Sequence, residues 1–126
     1  MSPLFRRNEE KAARKAAARV EIERLRAVPV DDLAADVLVG LGPDGPTHGT
    51  SMRVQQLCEY LLRDYPGAGQ MDTLNLSAPV NRALDTLEAI GLVSPISVMR
   101  SPVWRITPLG ERALAEGNVR DRLRDR

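Results

Sequence analysis

A chain of 126 residues with 43% hydrophobic and 28% charged content has room for one compact core but not for a separate cofactor domain, and it is too apolar for full disorder. No apolar run reaches the roughly 18 residues of a membrane span, and Met1 to Arg7 leads straight into charge without a signal region, so a cytoplasmic protein with no membrane partner is expected. One cysteine, Cys58, and one histidine, His48, exclude an internal disulfide and a structural zinc cluster, and no cofactor is expected.

The near balance of 18 basic and 17 acidic residues hides an asymmetry along the chain. Residues 1–27 hold eight basic residues against four acidic, residues 28–107 five against nine, and residues 108–126 five against four. A polyanion would therefore meet the ends first.

Asn8 to about Ala27 is made of strong helix formers without Gly or Pro and predicts a long first helix, about 30 Å if continuous. Arg7, Lys11, Lys15 and Arg19 recur at intervals of four as a basic stripe, while Ala18, Ile22 and Leu25 form a narrow apolar strip, so the first half is expected to project into solvent. After Pro29, Asp31 is positioned to cap a second helix, in which Val30, Leu33, Ala34, Val37, Leu38 and Leu41 follow core spacing. The Gly- and Pro-rich stretch 42–49 reads as a loop. Thr50 or Ser51 is expected to cap a third helix with Val54, Leu57, Cys58, Leu61 and Tyr65 inward, ended by Pro66-Gly67.

A long connection from Arg63 to Leu76, with a short helical turn near 71–74, leads to a fourth helix capped by Ser77. Val80, Ala83, Leu84, Leu87 and Ile90 face inward there, and Gly91 is its left-handed stop. Val93 to Met99 and Val103 to Ile106, joined by Arg100-Ser101-Pro102, read as a hairpin. Thr107 with Pro108 at the first helical position starts a last helix to about Glu116. The alternating Arg-Asp tail is expected to be solvated and frayed.

Two successive features, Ala83-Leu84-Asp85-Thr86-Leu87-Glu88 with Gly91-Leu92-Val93, and Trp104-Arg105-Ile106-Thr107-Pro108-Leu109-Gly110-Glu111-Arg112-Ala113-Leu114, resemble the carboxy-terminal half of a bacterial winged helix-turn-helix domain. The resemblance is strongest over residues 81–114. It implies a mainly α fold with a small β-hairpin wing, in the α+β class, over a winged helix domain (29–117); the basic helical arm (1–28) precedes it and the charged tail (118–126) follows. It further implies a non-enzymatic DNA-binding protein, a transcriptional regulator, reading double-stranded DNA with the fourth helix. Two features differ from that pattern. The 14 residues from 63 to 76 replace a connection of three or four, and the outward residues Asn81, Arg82, Asp85, Thr86 and Glu88 carry more acid than base.

By that resemblance Asn81 and Arg82 meet base edges, and Arg100 at the wing and Arg105 assist; the charge of the stripe Arg7, Lys11, Lys15 and Arg19 suits it to track phosphate. The alternative is a protein-interaction module whose first helix docks on a partner or a second copy as a homodimer. Other motifs carry less. Gly40, Gly42 and Gly45 spell a dinucleotide-binding pattern but follow a helix rather than a strand, and 45–51 lacks the lysine of a P-loop. His48 has no partner of its kind nearby, Cys58 sits among core residues, and three kinds of aromatic totalling four residues are too few for a base-stacking platform. No catalytic residue is expected.

Overall fold

The structure, a computed structural model, describes residues 3–98 and 101–126. It is mainly helical with a small three-stranded antiparallel sheet: α1 (Pro3–Ala27), α2 (Val30–Leu41), β1 (Ser51–Met52), α3 (Val54–Leu61), α4 (Gln70–Leu74), α5 (Ser77–Ala89), β2 (Val93–Val98), β3 (Ser101–Ile106), α6 (Pro108–Glu116) and α7 (Val119–Arg124). The expected α+β class and long first helix are both present, the helix starting five residues before Asn8.

The core forms where the apolar spacing of α2 meets that of α5. Leu33, Ala34, Val37 and Leu38 of α2 are buried with Val80, Ala83, Leu84 and Leu87 of α5, one cluster that extends through Leu57 and Cys58 of α3 to Leu92 and Trp104. Fully burying each Leu or Val contributes about 1.5–3 kcal/mol, so the α2–α5 contact anchors the domain.

Strand order is β1-β3-β2, with β3 central. The register sets Met52 and Pro95 opposite Trp104, and Val93 opposite Ile106, on the face that holds the core. The other face carries Arg105 between Ser51 and Ser94. Pro95 is tolerated because β2 is an edge strand. The hairpin is closed at its base by Thr107, whose hydroxyl donates to the Gly91 carbonyl (2.6 Å) and accepts from the Gly110 amide (3.1 Å). Gly91, at φ +79°, supplies the left-handed turn that takes the chain from α5 into the sheet.

Several expected caps are replaced. α2 begins after Pro29 with no side-chain cap; Asp31 and Asp32 instead pair with Arg126 and Arg120. Thr50 and Ser51 do not cap α3: Ser51 and Met52 form β1, and α3 starts after Arg53, whose amide donates to Gln56 Oε1 (2.8 Å). α3 stops at Leu61 rather than Tyr65, the Leu62 amide turning back to the Cys58 and Glu59 carbonyls. Ser77 lies inside α5, after Leu76, and makes no cap bond.

The tail is not frayed. α7 packs on α2, burying Val119 and Leu123, which lie four apart on one helix face.

Candidate nucleic-acid interface

The inward spacing of α5 decides which of its residues face water. With Val80, Ala83, Leu84 and Leu87 buried, Ala78, Asn81, Arg82, Asp85 and Glu88 are exposed, and residues three and four apart share a helix face. Asn81 and Arg82 are both exposed in the first two turns, as expected, Asn81 sharing a face with Asp85 and Glu88 and Arg82 with Asp85. Thr86 is half-buried and its hydroxyl donates to the Arg82 carbonyl (2.9 Å), so it is occupied within the helix. The face has one cation, Arg82, against Asp85 and Glu88.

Arg105 is exposed on the outer face of the sheet. Arg100 lies outside the described residues. On α1, Arg7, Lys11, Lys15 and Arg19 are all exposed, a stripe about 18 Å long at 1.5 Å per residue.

The stripe and α5 do not form one cluster. α1 reaches α5 at its carboxy-terminal end, where Leu25 and Arg26 share a cavity with Pro79 and Arg82. Arg7 lies 19 positions before Arg26, about 28 Å back along the helix axis. The α1 cation beside Arg82 is therefore Arg26, which the interval-of-four pattern passes over because Glu23 takes the next place after Arg19. Its neighbour comes from an element 56 positions later in the chain, so no local spacing signals it.

Other polar clusters are internally satisfied. Glu21 of α1 is buried and pairs with Arg24, and its carboxylate pushes the Tyr65 phenol above its ordinary range. Arg63 stacks over the Tyr60 ring at 4.2 Å and donates to the Tyr60 carbonyl (2.8 Å). His48 is exposed in a left-handed turn at φ +53°. Among the described residues no group of three or more His, Cys, Asp or Glu is placed to hold a metal ion, and no helix is long and apolar enough to cross a membrane.

No protein-family model, curated protein or solved structure matches the chain.

Proposed function

We propose that this chain is a winged helix protein of the cytoplasm that binds double-stranded DNA as a transcriptional regulator and performs no catalysis. In this reading α2, α3 and α5 are the three domain helices, β2 and β3 are the wing, and α5 is the reading helix. The observation that carries it is the short strand β1, which falls between α2 and α3 and pairs with β3. It joins the segment after the first domain helix to the base of the hairpin, and Asn81 and Arg82 are exposed in the first two turns of α5. Those two residue types are the ones that bond adenine and guanine edges bidentately.

The test is fluorescence anisotropy of the full chain with mixed-sequence double-stranded DNA across a salt series. Affinity is expected to fall linearly on a log-log plot. An Asn81→Ala, Arg82→Ala variant is expected to bind its preferred site at least about tenfold more weakly, one good bidentate contact being worth about 1–3 kcal/mol. Absence of binding by the wild-type chain at moderate salt sinks the DNA reading.

A second reading, a protein-interaction module, is favoured by exposed apolar side chains on two elements in contact: Val20 on α1, and Met71 and Leu74 on α4. Sedimentation equilibrium tests its homodimer form, which requires a dimer in the wild type and a monomer in Met71→Lys, Leu74→Lys.

A further inference from the structure

Between the elbow joining α1 to α2 and the first turns of α5 lies a cavity of about 230 Å³. Five of its lining residues are apolar: Leu25, Leu33 and Pro79, which are buried, and Val28 and Val30, which are half-buried. Arg26 of α1 and Arg82 of α5, both exposed, line the same cavity. Neither pairs with a carboxylate within 4.0 Å among the described residues. The acids at the start of α2 are engaged on the far end of the chain, Asp31 with Arg126 and Asp32 with Arg120, and Glu21 of α1 is engaged by Arg24.

Two cationic residues from two elements, beside five apolar lining residues, are complementary to an anionic head with an apolar body. The planar fork of arginine matches a carboxylate in geometry as well as charge. The volume is below the roughly 300–1,000 Å³ of sites for drug-sized ligands, which selects a single short chain or ring. A bare phosphate would satisfy the cations and leave the apolar wall without a partner.

The geometry points to a binding site for a small apolar monocarboxylate, its carboxylate held by Arg26 and Arg82 and its hydrocarbon end laid against Leu25, Val30 and Leu33. The ligand bridges the end of α1 to the start of α5. Because Arg82 belongs to the proposed DNA-reading turn, an occupied site withdraws it from DNA; this coupling rests on the DNA reading, whereas binding to the free protein does not.

The experiment is a titration of the ¹⁵N-labelled full chain with hexanoate, with 1-hexanol and inorganic phosphate as separate probes. Hexanoate is expected to give saturable shifts at the amides of Val28, Val30 and Leu33. The shifts require about tenfold more hexanoate in Arg26→Gln, since a hydrogen bond to a charged group is worth about 1.5–3 kcal/mol, and they vanish in Arg26→Gln, Arg82→Gln. Both side chains are exposed, so the thermal midpoint of each variant should match the wild type and a lost shift reports the site. Equal binding of 1-hexanol, equal binding of phosphate at the same amides, or a wild-type titration in Arg26→Gln overturns the proposal. Hexanoate is then added to the chain–DNA complex: release from the wild type but not from Arg26→Gln supports the coupling. A chain that binds no DNA removes the coupling alone, and the free-protein titration still decides the site.

Discussion

Trp104, 5% exposed, places its indole Nε1 in the interior with no acceptor among the described residues. An unmade buried hydrogen bond costs about 1–3 kcal/mol, and this one is offset by the area that the ring buries between β1 and β2. Trp104→Phe removes the stranded N–H along with part of that area. It is expected to cost under about 1.5 kcal/mol in urea unfolding, against about 3–5 kcal/mol for Trp104→Ala; equal costs would mean that the indole N–H has a partner. Cys58, on the buried face of α3, is the complementary case of a polar group held neutral. Burial pushes its thiol up to about 11 from an ordinary value near 9. The folded chain therefore keeps this proton over a range in which the unfolded chain has lost it. The resulting stability is fully present below pH about 9 and is lost as the pH rises through about 11. Urea midpoints measured across that window should fall more steeply in the wild type than in Cys58→Val, and parallel curves would refute the assignment.

At the scale of elements, α1 is seated by a close approach of backbones. A Cβ added at Gly67 would lie 2.4 Å from the carbonyl carbon of Arg14 and 2.6 Å from its Cβ, too near for any side chain. Gly67→Ala is expected to cost about 1–3 kcal/mol through this overlap. In hydrogen exchange the loss should fall on Arg14 to Leu25 and spare α5; protection lost equally in both would show that α1 is part of one cooperative unit with the core. The sequence pattern reached this docking only in part. Ala18, Ile22 and Leu25 mark the buried strip of α1, but the role of Gly67 depends on a residue 53 positions earlier, which no local period contains. The same distinction separates the other elements. α2 and α5 were legible because their apolar residues repeat over 12 and 13 residues. β1 was not, since two residues have no period and Ser51 and Met52 become a strand only by pairing with Arg105 and Trp104. In α7 the Arg-Asp alternation conceals Val119 and Leu123, which are buried where α7 packs on α2. Of the candidate interface, Asn81 and Arg82 could be placed outward from the spacing of Val80, Ala83, Leu84 and Leu87, whereas the neighbouring cavity with Arg26 needed the fold.

Across the whole molecule, the seating of α1 divides the basic arm in two. Residues 6–17 are exposed throughout, while Ala18, Ile22 and Leu25 belong to the interior. A chain lacking residues 1–27 therefore loses more than charge. Removing Ile22 and Leu25 takes away two buried side chains, each worth about 2–5 kcal/mol by truncation to Ala, against a total stability of about 5–15 kcal/mol for a typical domain. That deletion is expected to unfold or nearly unfold the domain by circular dichroism. A deletion of residues 1–13 stops before the Arg14 contact with Gly67 and is expected to keep the thermal midpoint within a few degrees, a shift of about 4–8 °C corresponding to 1 kcal/mol in a small domain. The shorter deletion removes Arg6, Arg7 and Lys11 and leaves Lys15, Arg19 and all of α5. If the three cations each neutralise a phosphate, the salt slope of DNA binding falls by up to about 2.7, at roughly 0.9 per contact. An unchanged slope would place the phosphate contacts on the folded domain and free the arm for another partner. A slope reduced to zero would mean that the arm is the electrostatic contact, since the net acidic segment 28–107 cannot supply the field that draws DNA to α5.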